Sequence, residues 1–230
     1  MSEVKVLLTS GCSFTETEEG HTRCWPLPLS EILQIPLVNY GKSSVGNQYI
    51  ARTIILGVEK LLQEYTAKDI LVGVMWSGTD RHEVYQNEWK IMNAHWEDNL
   101  STAYYTHLHL HDLTGAALIS TYWQFLIEQY LQNKGIKYFM TRMASQCSEL
   151  ILEESDNNEY KLLQTNRKNW LPVKGQFDWL KTDCGLPFTK LEKEGVDSEN
   201  QDWLCHPDDA QHKEFTKQVI LPWLKETYKI

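Results

Sequence analysis

The sequence predicts a three-layer α/β fold, a central parallel sheet with helices on both faces, in a single domain spanning residues 1–230. Three observations carry that expectation. Short apolar runs stop abruptly at turn signals, as strands buried in a parallel sheet do. Stretches with apolar residues at three- and four-residue steps follow them, as crossover helices do. A chain of 230 residues suits one domain of α/β size.

Val4, Val6, Leu7 and Leu8 make the first run, which ends at Ser10-Gly11 and reads as strand one. Trp25-Pro26-Leu27-Pro28 introduces Leu29, Ile32 and Leu33 at helical spacing, with Ser30 as a cap candidate. Residues 35–40 (IPLVNY) read as strand two, closed by Gly41. From Asn47, the residues Ile50, Ile54, Val58, Leu61 and Leu62 mark one face of a helix. Residues 69–76 (DILVGVMW) are almost purely apolar, which suits a central strand ending near Ser77-Gly78. Helix resumes at about Leu113, with Leu118, Tyr122, Phe125, Leu126 and Tyr130 expected on one face and a stop at Lys134-Gly135. Residues 136–140 then give strand four. The final segment, through Phe215, Val219, Ile220, Trp223 and Leu224, reads as a helix broken or kinked at Pro222.

Two segments break the alternation. Residues 81–112 are rich in His, Asn, Trp and Tyr with no sustained period, and read as an insertion whose Trp89, Trp96, Tyr104 and Tyr105 are expected partly over the carboxyl edge of the sheet. Residues 145–201 are polar and punctuated by Pro172, Gly175, Gly185 and Pro187, as loops and short helices are.

Composition narrows the function classes. Thirty-one acidic against 22 basic side chains give a formal charge of −9, which repels phosphate backbones and anionic membrane surfaces. A nucleic-acid partner is therefore not expected, and a small-molecule or carbohydrate partner is easier to accommodate. Five cysteines, Cys12, Cys24, Cys147, Cys184 and Cys205, form no CxxC pair, so neither a disulfide framework nor a zinc knuckle fits, and a reducing compartment is expected. No run of apolar residues is long enough for a membrane span, and Val4–Leu8 is too short for a signal segment. The chain is read as cytoplasmic.

In doubly wound sheets the ligand sits outside the carboxyl ends of the strands. Strand one delivers Gly11-Cys12-Ser13-Phe14-Thr15 to that edge, where Ser13 is a candidate nucleophile or, alternatively, caps the turn. A nucleophilic serine needs a base. Residues 205–212 (CHPDDAQH) offer His206, held by Pro207 just before the last helix, unless it is an ordinary surface histidine with Asp208 as a helix N-terminal charge.

These elements together resemble the SGNH (GDSL-like) hydrolases, in particular divergent bacteriophage and bacterial members. The resemblance rests on GCSFT at 11–15, VNYGKSSVGNQYIAR at 38–52, VGVMWSGTDR at 72–81 and the His-Pro pair at 206–207, in that order along nearly the whole chain. It implies a flavodoxin-like three-layer fold, an esterase or acyl-hydrolase activity on a carbohydrate or lipid-like ester, and no cofactor. Ser13 matches the family nucleophile, its amide an oxyanion donor, and His206 the base. The family's oxyanion glycine falls at Ser44. Its GxND asparagine is missing from Ser77-Gly78-Thr79-Asp80, so Ser77, Thr79 or a side chain reaching in from Asn47 must substitute. Asp80 ends that motif at the substrate edge. The acid that orients the base normally precedes it by three residues, where Trp203 stands, leaving Asp202 as the candidate or else an exposed loop carboxylate.

Two other functional classes compete. One is a catalytically silent protein of the same fold, a binding or structural component, with the 81–112 insertion making its contacts. The other uses His107, His109 and His111, which would share one face of a strand. Three imidazoles so spaced resemble part of a metal site, but a structural or ligand-contacting role fits the local pattern better, so no metal is assigned.

Overall fold

The computed structural model describes residues 4–17, 24–93, 113–145, 148–153, 157–163, 167–184 and 206–230. Its centre is a four-stranded parallel sheet of β1 (Val6–Ser10), β2 (Leu37–Asn39), β3 (Ile70–Trp76) and β6 (Lys137–Arg142), in the order β2-β1-β3-β6. Every residue of β1 and β3 is buried. That burial on both faces explains why these two strands carry unbroken apolar runs rather than alternation.

Helices α1 (Pro26–Leu33) and α2 (Asn47–Leu61) cover opposite faces. Leu8 pairs with Val72 in register, so the two point the same way, and Gly57 of α2 lies against Leu8. Gly73 points to the other face, where a side chain would collide with Trp25 at the start of α1 and with Phe139 of β6. Helix α3 (Leu113–Lys134) packs beside α2, while α6 (Asp209–Phe215) packs beside α1. The three-layer α/β expectation therefore holds. The chain turns outward from β1 in both directions, to β2 on one side and β3 on the other, so a topological switch point lies between β1 and β3.

Several elements differ in detail from the sequence reading. The buried face of α3 is not the one carrying Tyr122 and Leu126, which are exposed; it carries Ala116, Ala117, Ser120, Thr121, Gln124, Ile127, Glu128 and Leu131. Polar residues reach the interior there because they find partners: Gln124 donates to Glu149, and Glu128 accepts from Tyr138. The terminal helix is not simply kinked at Pro222. Between α6 and α7 (Leu221–Tyr228) residues Thr216–Ile220 form a π-helical turn, in which the Leu221 N–H reaches the Thr216 carbonyl. The wider turn lies just before Pro222, which has no backbone N–H to continue the regular ladder.

The first part of the expected insertion is regular. Residues β4 (Arg81–Gln86) and β5 (Glu88–Asn93) form an antiparallel hairpin around Asn87, whose φ of 62° makes the one-residue turn. This hairpin packs against α2. Glu83, buried, receives two hydrogen bonds from Arg52 at 3.1 and 3.3 Å, and the Arg52 guanidinium lies 4.4 Å from the Trp89 ring centroid. Trp96, Tyr104, Tyr105 and the three histidines at 107, 109 and 111 lie outside the described residues. In the stretch read as loop-rich, helices α4 (Asn158–Leu163) and α5 (Gln176–Thr182) and a 3-10 turn at Glu149–Leu152 are present. No described helix is long and apolar enough to cross a membrane.

Candidate active site

Strand β1 ends at Ser10 and turns at once. The amides of Thr15 and Glu16 both return to the Cys12 carbonyl, at 2.8 and 3.2 Å, which folds Ser13 and Phe14 into a tight turn at the carboxyl edge. Asn39, the last residue of β2, fixes this turn with a fully used carboxamide. Its Oδ1 accepts from the Thr9 hydroxyl and the Gly41 amide (2.8 and 2.9 Å), and its Nδ2 donates to the Thr15 carbonyl and the Thr17 hydroxyl (2.7 and 2.9 Å). Gly41 permits the approach, since a Cβ there would come within 2.5 Å of the Thr15 backbone.

The other end of the chain is anchored to the same turn. Trp25, wholly buried, donates from Nε1 to the Thr15 hydroxyl at 3.2 Å, and its carbonyl accepts from the Thr216 hydroxyl at 3.2 Å. Thr15, Trp25 and Thr216 thus chain the serine turn to the terminal helix. That helix starts cleanly because Asp208 and Gln211 form a capping box: the Gln211 amide donates to the Asp208 carboxylate at 2.8 Å and the Asp208 amide to the Gln211 side chain at 3.0 Å. His206 stands two residues before the cap.

The result is direct contact. Nε2 of His206 lies 2.7 Å from Oγ of Ser13. For the hydroxyl to donate, Nε2 must be the unprotonated nitrogen of a neutral ring, with the proton on Nδ1. In that state Ser13 can pass its proton to His206 as the oxygen attacks an electrophile. Asp202, the candidate orienting acid, lies outside the described residues.

A second histidine stands behind the first. His212 of α6 is buried, and burial, reinforced by repulsion from His206, holds its pKa down at about 3. It is neutral near pH 7, and its Nδ1 meets the Gln176 side-chain nitrogen at 2.9 Å. Of the two neighbouring imidazoles, the buried one is thereby excluded from taking a proton and the exposed one is left to do so. Cys24, whose thiol reaches the Ser13 carbonyl at 3.4 Å, is pushed up by burial to about 12 and stays protonated. Cys12, Cys24 and Cys184 are thiols.

The expected oxyanion donors meet different fates. Ser44 takes a φ of 65°, the left-handed conformation that glycine adopts without penalty, at the position where the resemblance puts a glycine. Neither its amide nor that of Ser13 is engaged by another described residue. Asn47 does not reach in as a donor. Its Nδ2 hydrogens go to the Ser77 carbonyl (3.1 Å) and the Ser120 hydroxyl (2.6 Å), and its Oδ1 accepts the Ser77 amide (2.8 Å). Ser77 is buried, with its amide spent on Asn47 and its hydroxyl accepting from Arg81 at 3.1 Å. Thr79 is buried beside it, and Asp80 opposes the fall in the pKa of His82 that burial causes.

The sequence reading found Ser13 and His206 but not Asn39, Thr15, Trp25 or His212. The capping box, Asp208-x-x-Gln211, was a legible signal for the helix that fixes His206. No group of three or more His, Cys, Asp or Glu side chains suited to a metal occurs among the described residues. Compared with known proteins, the chain matches no family model, no curated protein and no solved structure.

Proposed function

We propose that this chain is a serine-dependent ester hydrolase of SGNH (GDSL-like) type. One observation carries the reading: the 2.7 Å contact between Ser13 Oγ and His206 Nε2, at the carboxyl edge of a parallel sheet beside its switch point. In the proposed cycle Ser13 Oγ bonds to the ester carbonyl carbon while its proton moves to His206. The oxyanion is held by the Ser13 and Ser44 amides. Collapse breaks the bond to the alcohol, which leaves with the proton from His206, and water then cleaves the acyl-serine with His206 as base. The net charge of −9 favours a neutral acyl substrate, such as a carbohydrate or lipid-like ester, over an anionic polymer.

Purified protein should release p-nitrophenol from its acetate ester. Ser13→Ala and His206→Ala should each abolish that release while leaving the melting temperature nearly unchanged, because both side chains sit at the edge of the fold. Equal rates in wild type and Ser13→Ala would overturn the reading.

A second reading is favoured by Asn47. With both its amide hydrogens committed and no asparagine in the Ser77–Asp80 segment that follows β3, no side-chain amide is placed for the oxyanion among the described residues, as expected of a catalytically silent binding or structural protein of the same fold. The same assay separates the two.

A further inference from the structure

We infer that Phe14, the residue after the nucleophile, is a positioning residue for His206. The inference rests on the hydrolase reading, and deepens it by naming what aims the base.

His206 is exposed, and a solvent-facing imidazole has two ring torsions to lose before it can point Nε2 at a hydroxyl. Phe14 is buried, and its ring meets two histidines. The His206 ring lies 5.2 Å away by centroid at 61°, and the His212 ring 6.4 Å away at 89°, both edge-to-face. His212 is in turn tied at Nδ1 to Gln176 of α5. A column of four side chains, His206, Phe14, His212 and Gln176, therefore runs from solvent into the core.

Each layer has a physical task. Gln176 and His212 are buried and cannot swing, so they present a fixed wall to Phe14. Phe14 sits in the same tight turn as Ser13, and its ring plane sets the plane of His206. One short turn thus delivers the nucleophile and the surface against which its base lies. Edge-to-face pairing of this kind stabilises beyond area burial. That is enough to favour one ring orientation several-fold, and a misaimed general base is costly because proton transfer requires hydrogen-bond geometry.

The wall is also uncharged where it needs to be. A protonated His212 behind Phe14 would repel the imidazolium that His206 must become, and its burial removes that opposition. Among the described residues, the titratable groups near this end of the column include Asp208 and Asp209 at the start of α6 and Cys12, Glu16 and Cys24 around the turn.

The test compares Phe14→Leu, which removes the ring but keeps an apolar filling, with Phe14→Tyr, which keeps the ring. Each is checked for an unchanged fold by melting. With p-nitrophenyl acetate, Phe14→Leu should lower kcat severalfold, up to about tenfold, with KM little changed, and Phe14→Tyr should recover most of that loss. A folded Phe14→Leu with wild-type kcat, or equal losses in both variants, overturns the inference. A second readout is independent of activity. In histidine 15N NMR the ring nitrogens of His206 should show one tautomer in wild type and Phe14→Tyr, and shift toward averaged values in Phe14→Leu. If the wild type hydrolyses no ester, the hydrolase reading fails while this spectrum still decides whether Phe14 orients His206; unchanged His206 shifts in Phe14→Leu would reject it.

Discussion

Asn47 and Ser77 clasp each other: the carboxamide of one accepts the backbone N–H of the other at 2.8 Å and donates to its carbonyl at 3.1 Å. The pair joins the first turn of α2 to the residue that follows β3, at a site shielded from water. A third bond, to Ser120, brings in α3. Replacing Asn47 with alanine would leave the Ser77 amide, the Ser77 carbonyl and the Ser120 hydroxyl buried without this partner. The expected loss is about 2–4 kcal/mol of stability, measured by urea denaturation. Asn47→Asp, which keeps the acceptor but sets a buried carboxylate against the Ser77 carbonyl, should cost at least as much.

At Ser44 the backbone bears the cost of a left-handed residue with a side chain. Ser44→Gly should be neutral or stabilising by up to about 1 kcal/mol, the relief of αL strain being partly offset by a looser unfolded chain. Ser44→Val should destabilise. If the Ser44 amide is an oxyanion donor, Ser44→Gly should also raise ester turnover by opening the approach, and kcat/KM for p-nitrophenyl acetate is the measurement.

Glu128 gives stability a downward slope between pH 4.5 and about 7. Burial raises its carboxyl from an ordinary 4.5 to about 7, against the opposing hydrogen bond from Tyr138. The folded state thus holds a proton that the unfolded chain releases. Its stabilising contribution is complete below pH 4.5 and is lost as pH rises through 7. Glu128→Gln can still accept from Tyr138 and should be more stable relative to wild type at pH 8 than at pH 5, as read from melting curves at both.

His212 works in the opposite sense. Its pKa, lowered from 6.5 to about 3, means that the unfolded chain takes up a proton that the folded state refuses. The contribution is complete above 6.5 and falls away as pH drops toward 3. His212→Gln should flatten the acid limb of the stability curve. Between pH 4.5 and 6.5 the two groups pull in contrary directions, so wild type should vary less there than either single variant.

Beyond the carboxyl end of β6, Glu149 is fully buried and shared. It accepts from Arg142 Nε at 2.7 Å, pairs with Arg167 at 3.0 Å and accepts from Gln124 at 2.8 Å, while both guanidiniums stack on Trp170, each 4.3 Å from its centroid. Glu149→Ala would leave Arg142 as an uncompensated buried cation, with an expected cost of about 3–5 kcal/mol, visible in denaturant midpoints.

The parts of this molecule legible in the sequence are those written locally. The apolar runs of β1 and β3 declare burial on both faces, and GCSFT and the His-Pro pair announce a turn and a helix entry. The hairpin at Arg81–Asn93 was not legible because its alternation mixes charged and aromatic residues on both faces, with Glu83 buried by Arg52 rather than by apolarity. The buried face of α3 was misread for the same reason: Gln124 and Glu128 go inward because partners await them from other elements. Asn47 illustrates the limit most clearly. A carboxamide near a sheet edge reads as a ligand donor until its three partners, 30 and 73 residues away in sequence, are known.

The contact between Ser13 and His206 spans 193 positions of sequence. Closing a loop of that size costs entropy that only the finished core repays, so this hydrogen bond belongs among the last events of folding rather than the first. The serine turn, by contrast, is held by Asn39 and Trp25, all within the first forty residues, so its contacts close only short loops. Under the proposed hydrolase reading, chemistry at Ser13 would begin only when the terminal helix docks through Thr216 onto Trp25, which would make ester turnover a reporter of complete folding. A partly folded chain would hold its nucleophile without the means to use it.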